Sequence, residues 1–181
     1  MGKADDFSAV LTCQAGERVP LWELEFHAWD LVYGGHLTLE REFERLSDAQ
    51  REAALYRNAE IILSVCAEIG FAAVTGPGSY WEQAPGELAY YVLPDDYPER
   101  QIAVLRELAG DEILLVANAG GVMAASYDVD FCEMLYHAPE EVDLLAQQTL
   151  AAGLEKARRF RDAGAEVVMT ASDIADNNGL F

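Results

Sequence analysis

The strongest constraint on this chain is an alternation. Segments of helical periodicity, each closed by a glycine, hand over to short and almost wholly apolar runs. The clearest helix is expected from about Ser47 to Ile69. Ser47 followed by Gln50 is a capping box, in which hydroxyl and amide satisfy exposed backbone N–H groups. Leu55, Ala59, Ile62, Cys66 and Ile69 alternate spacings of four and three, which makes one apolar face. Gly70 is placed to end it in a left-handed cap. A second helix is expected from about Pro139 to Ala163. Pro139 suits the first helical position. Glu140 and Glu141 suit the positive end of the helix dipole, and Lys156 to Arg161 the negative end. Gly164 is its stop. Shorter helices are expected at about Asp5 to Gln14 and Pro98 to Ala109. Strands are expected to follow at Val19 to Phe26, Phe71 to Thr75, Ile113 to Ala117 and Val167 to Thr170. Leu88 to Leu93 reads as an inserted strand or hairpin arm. Ile113–Val116 and Val167–Met169 are apolar throughout, as strands covered on both faces are. This order implies an α/β fold with a parallel sheet. The alternation alone leaves a barrel and a doubly wound sheet of four or five strands both open. Neither GxGxxG nor GxxxxGK occurs, which disfavours nucleotide-binding folds.

The 181 residues suffice for one domain, and no linker, repeat or low-complexity segment divides them. Hydrophobic residues make up 51%, too many for a disordered chain. The formal net charge of −20 repels phosphate backbones and anionic lipid, which argues against nucleic-acid and membrane partners. Met1 to Asp6 contains no apolar stretch of a secretory signal, and no run reaches the roughly 20 residues a bilayer span needs. Cys13, Cys66 and Cys132 are odd in number and far apart, which suits reduced thiols in the cytoplasm. No CxxC or HxC spacing marks a zinc site.

Three stretches resemble uroporphyrinogen-decarboxylase-like proteins. ERVPLWELEFHAWD (Glu17 to Asp30) resembles their opening, where a short helix leads into strand one. EILLVANAGGVMAASYDVDFCEMLYHAPEEVDLLAQQTL (Glu112 to Leu150) is similar to the middle strand, its glycine-containing loop and the next helix. AGAEVVMTASDIADNNGLF (Ala163 to Phe181) resembles the next strand and loop of the corrinoid-linked branch. The resemblance implies the N-terminal half of a TIM-like (β/α)₈ barrel. True decarboxylases carry an arginine-rich stretch after strand one that faces the substrate's carboxylates. Here Glu25, Phe26, His27, Ala28, Trp29 and Asp30 stand in its place, so a polycarboxylate would be repelled. The expectation is therefore the methyltransferase-like branch, with methyl exchange between a thiol or small methylated substrate and a corrinoid carried by a partner protein. The decarboxylase of porphyrin biosynthesis and a non-catalytic half-barrel are the alternatives. The resemblance places the zinc ligands of that branch in the second half of the barrel, so no metal or cofactor is expected in this chain.

Barrel chemistry gathers where strands end and βα loops begin. His27, Trp29 and Asp30 follow strand one: His27 could act as general acid/base and Trp29 as a wall, or both could plug the mouth. Tyr80 and Trp81, beside Gly76, Pro77 and Gly78, could stack on a ligand or anchor an ordinary turn. Asn118 could orient a substrate, and Gly120 and Gly121 could offer backbone N–H groups to an anion; the other reading is a tight turn. Asp173, Asp176, Asn177 and Asn178 follow the fourth strand and could bind a metal or take a proton, although Asp176 could simply cap a helix. Asp173 also matches the family's strand-end acid. Cys66 lies on a helix core face and is expected to be inert. An open half-barrel would expose strand edges, so a homo-oligomer or a complementary half-barrel is expected beside the small-molecule substrate.

Overall fold

The structure, a computed structural model, describes residues 2–23, 36–76, 81–84, 87–90, 93–94, 97–120, 129–170, 175–176 and 179–180. In chain order the elements are α1 (Lys3–Leu11), α2 (Glu40–Glu44), α3 (Asp48–Ile69), β1 (Ala73–Thr75), β2 (Trp81–Ala84), β3 (Glu87–Tyr90), α4 (Tyr97–Ala109), β4 (Leu114–Asn118), α5 (Val129–His137), α6 (Pro139–Ala163), β5 (Val167–Met169), β6 (Ala175–Asp176) and β7 (Gly179–Leu180).

The long helices begin and end where their caps are written. At the start of α3 the Gln50 side chain accepts the Ser47 backbone N–H at 2.9 Å, and the Ser47 hydroxyl donates to the same oxygen at 2.7 Å. Gly70 ends α3 at φ +93° and Gly164 ends α6 at φ +112°, conformations that side chains with a Cβ resist. Arg106 fastens the ends of α4 and α6 together. Its guanidinium donates to the Gly164 carbonyl at 3.3 and 3.2 Å, to the Gly110 carbonyl, and to Glu166. Glu166 in turn accepts the Leu115 N–H of β4 at 2.8 Å.

β1, β4 and β5 form one parallel sheet in that order. Thr75 lies level with Val116, and Asn118 with Met169. The strand order follows chain order without reversal, whereas a doubly wound sheet needs a switch point. Alternation sorts the strand residues into two faces. Val74, Leu115 and Ala117 join the large core made by α3, α4 and Phe160 of α6. Ala73, Leu114 and Val116 face the other way, where Phe7 of α1 and Trp22 pack on them. α3, α4 and α6, the helices that lead directly into these strands, therefore contribute to the same face, and α1 lies on the other.

The remaining expectations divide. The inserted arm is present as the antiparallel hairpin β2–β3, with Trp81 opposite Tyr90. The first expected strand is not formed within residues 19–23. A single backbone hydrogen bond, Ala72 N–H to Leu21 carbonyl at 2.8 Å, ties that segment to the sheet. Pro20 removes a ladder donor there; residues 24–26 lie outside the described ones. Helices α2 and α5 were not expected. α2 is one short turn anchored by Phe43, whose ring meets Tyr97 edge-on at 4.9 Å. α5 buries none of its residues. Asp176 lies in β6 opposite Gly179, in an antiparallel pair, and caps no helix.

Among the described residues no helix is long and apolar enough to cross a membrane.

Candidate functional site

The carboxyl ends of β1, β4 and β5 come together as Thr75 and Gly76, Asn118 to Gly120, and Met169 and Thr170. Gly76 continues the ladder by donating its N–H to the Val116 carbonyl at 2.7 Å. A Cβ at Gly76 would lie 2.3 Å from Cδ1 of Ile102 on α4, so any larger residue there requires the Ile102 side chain to shift. Thr75 is buried, and its hydroxyl oxygen accepts the Trp22 indole N–H at 3.0 Å. This bond spans 53 residues and fixes the segment that leads toward His27 against β1. Sequence reasoning did not single out Trp22 or Thr75. A threonine closing an apolar strand is the one local signal.

Asn118 stands at the end of β4 as expected. Its side-chain carbonyl accepts the Gly120 N–H at 2.8 Å, and Gly120 sits at φ +92°. The residue thus closes its own turn, as Asn side chains do. The Gly120 N–H is occupied by that bond and is not offered to an anion, which corrects the sequence expectation for this glycine. The Asn118 amide NH₂ keeps two donor positions for a substrate oxygen. Ala119 N–H bonds the Met169 carbonyl at 3.0 Å and holds the neighbouring strand end level.

His27, Trp29, Tyr80, Asp173 and Asn177 lie outside the described residues, as do Asp30, Gly121 and Asn178. Of Trp81 the structure describes the backbone in β2. Among the sequence candidates, Asn118 alone has its side-chain contacts described.

Two cavities frame the sheet. A cleft of about 70 Å³ lies between α6 and the strand ends, lined by Ala119, Thr149, Leu150, Gly153 and Thr170 among others. A larger one, about 360 Å³, lies at the opposite end, among Lys3, Cys66, Phe71, Leu108, Glu112 and Ile113. Size favours the second, but chemistry does not. Its lining is mainly apolar, and burial pushes the Cys66 thiol up to about 12, far from nucleophilic. The strand ends, by contrast, carry the polar side chains of Thr75, Asn118 and Thr170.

The other perturbed groups serve the scaffold. Burial alone would push Asp6 up. Backbone N–H groups of Glu17 and Arg18 and the Arg18 guanidinium outweigh it and hold the carboxyl below its usual range. Tyr56 is pushed up by its bond to Glu107, and Arg100 by its bond to Glu52. Among the described residues no three His, Cys, Asp or Glu side chains stand together to hold a metal ion.

No family model and no curated protein matches the sequence. A solved structure does: a methyltransferase from Methanosarcina mazei aligns with TM-score 0.61 at 16% identity, covering 99% of this chain and 61% of that one. Likeness at that identity establishes a shared fold. The chain spans about 61% of the length of that methyltransferase.

Proposed function

We propose that this chain builds one side of a singly wound βα barrel that transfers methyl groups, exchanging them between a thiol or small methylated substrate and a corrinoid-carrying partner protein. The observation that carries this reading is the shared fold with a methyltransferase over 99% of the chain. Two features support it: strand order without reversal, and α3, α4 and α6 gathered on one face of the sheet. The acidic and aromatic stretch from Glu25 to Asp30, which lacks the decarboxylase arginines, favours methyl transfer over decarboxylation. The corrinoid, when bound, supplies or accepts the methyl group. The chain's own part is to seat the substrate between the ends of β1, β4 and β5. Asn118 donates its amide to a substrate oxygen, Trp29, Tyr80, Trp81 and Asn177 wall the site, and His27 or Asp173 takes the thiol proton.

Equilibrium dialysis of the chain against methylcobalamin, followed by addition of a small thiol under anaerobic conditions, tests this. We expect saturable binding, and methyl loss, followed by absorbance, faster than in protein-free solution. His27→Ala and Asp173→Asn should slow the loss and keep the binding. Absence of both binding and acceleration would overturn the proposal. Saturable binding with methyl loss at the protein-free rate would instead favour a non-catalytic half-barrel, a reading that accords with the 61% span.

A further inference from the structure

Helix α6 buries only Phe160 among its 25 residues. Its inner face, through Leu145, Thr149, Gly153 and Phe160, meets the rest of the fold. A second stripe runs along one flank of α6 at spacings of three and four: Glu140, Asp143, Gln147, Leu150, Leu154, Arg158 and Arg161, its C-terminal half beside β5. Leu150 and Leu154 are each 49% exposed, although both are large and apolar. β5 is the last strand of the described sheet on that side, with Val167, Val168 and Met169 half-buried. A groove of about 350 Å³ runs between the stripe and the strand, lined by Leu154, Ala157, Arg158, Arg161 and Val168 among others.

The stripe is acidic at one end, apolar in the middle and basic at the other. Its charges are also placed symmetrically. Glu140 and Arg161 lie equally far on either side of the midpoint between Leu150 and Ala151, and so do Asp143 and Arg158. Glu140, Asp143 and Arg158 make no ion pair among the described residues, and Arg161 pairs with its own sequence neighbour Asp162 at 2.7 Å. A surface with this order is complementary to itself when turned end for end. Two-fold symmetry supplies that turn, because an isologous contact sets the same patch against itself. At 1.5 Å per residue α6 is roughly 37 Å long, enough for an extended antiparallel contact.

We infer that the α6 flank is the interface of a homodimer, in which two copies pack their α6 helices antiparallel. Glu140 and Asp143 of each copy meet Arg161 and Arg158 of the other, Leu150 packs beside the axis against its own counterpart, and Leu154 covers Gln147 of the other copy. The apolar centre supplies the association, because exposed ion pairs contribute little by themselves. The charges fix direction and register and exclude the parallel arrangement, which would set acid on acid and base on base. The net charge of −20 per copy opposes any association, so local complementarity must overcome a general repulsion. The inference uses none of the side chains assigned to methyl transfer, although Leu150 and Leu154 also line the cleft at the strand ends.

Light scattering at physiological ionic strength reads the outcome directly. The chain should have about twice its 19.9 kDa mass. R158E/R161E makes the stripe acidic at both ends, and E140R/D143R makes it basic at both ends. Each variant alone should fall to the monomer mass while keeping the wild-type far-UV circular dichroism. Mixed one to one, they should return to the dimer mass, since every crossing then pairs acid with base. A wild-type monomer would overturn the inference. So would a dimer that survives both reversals, which would place the contact at the β5 edge, and so would a mixture that stays monomeric.

Discussion

Thr75 tests how the strand-end site is held. Thr75→Val keeps the shape of the side chain and removes the oxygen that accepts the Trp22 indole N–H at 3.0 Å. Thr75 is 1% exposed and Trp22 is half-buried. The stranded N–H therefore recovers some hydration but not all. A fully buried unpaired donor costs about 1–3 kcal/mol, and a replaceable neutral hydrogen bond about 0.5–1.5 kcal/mol. The intermediate exposure of Trp22 places the loss at about 1–2 kcal/mol. For a chain of this length each kcal/mol shifts Tm by about 2–4 °C, so the expected drop is roughly 2–8 °C. Thermal unfolding by circular dichroism measures it, with Thr75→Ser as the control that restores the acceptor. Trp22 also packs edge-on against Phe7, with ring centroids 5.7 Å apart, so freeing its indole should change tryptophan emission. Equal stability of Thr75→Val and the wild type would refute the reasoning. So would a Thr75→Ser variant as unstable as Thr75→Val, since that would point to lost methyl packing instead of a lost bond.

Gly76→Ala places a Cβ 2.3 Å from Ile102 Cδ1 and should cost about 1–3 kcal/mol in urea unfolding. Adding Ile102→Ala should recover part of that cost, although the smaller side chain leaves its own cavity; strict additivity of the two would show that they do not clash. Cys66, with its thiol pushed up to about 12, should resist a thiol reagent at pH 8 in the folded chain. The exposed Cys13 and Cys132 should react quickly, and a third thiol should appear only on unfolding. Asp6 has a folded pKa below its unfolded value, so its contribution to stability is present above the unfolded value and is lost as pH falls through the folded one. Asp6→Asn should therefore destabilise the chain at pH 7, and the gap to wild type in urea unfolding should narrow below about pH 4.

The scaffold was legible wherever its chemistry is local. Ser47, Gly70, Pro139 and Gly164 each act on backbone within a turn of themselves, and α3 and α6 start and stop on them. β4 was legible because a doubly covered strand is apolar throughout, and β5 because its short run is equally apolar although only half-buried. Features built from distant partners were not. Asn58 is fully buried because its amide both accepts the Thr38 N–H and donates to the Thr38 carbonyl, and nothing around either residue announces the pairing. Trp22 and Thr75 are the same case at the site itself. Asn118 shows the opposite limit. Its position was readable, yet its first contact is with Gly120 two residues on, so the side chain that was expected to orient a substrate also shapes its own loop.

The two faces of the sheet explain why chemistry belongs at one end of it. The helix-facing side is filled by large residues of α3 and α4, among them Leu55, Ile61, Ile62, Ile102 and Leu105, all essentially fully buried. The opposite side carries Ala72, Ala73, Leu114 and Val116 and is covered by Phe7 and Trp22. Phe7 rides on α1, which is tied down by Asp6 bonding the backbone of Glu17 and Arg18, so the cover rests on a buried carboxylate near the chain's start. That cover reaches Thr75 through the indole. Beyond it, Asn118 and Met169 are only half-buried and Thr170 is exposed. A ligand approaching from the helix side would have to displace packed core. One approaching over the strand ends meets the Gly120 turn and the Asn118 amide, whose NH₂ has no partner among the described residues. Binding there leaves the packed layers intact, which is why loop residues can change there while the sheet beneath them keeps its packing.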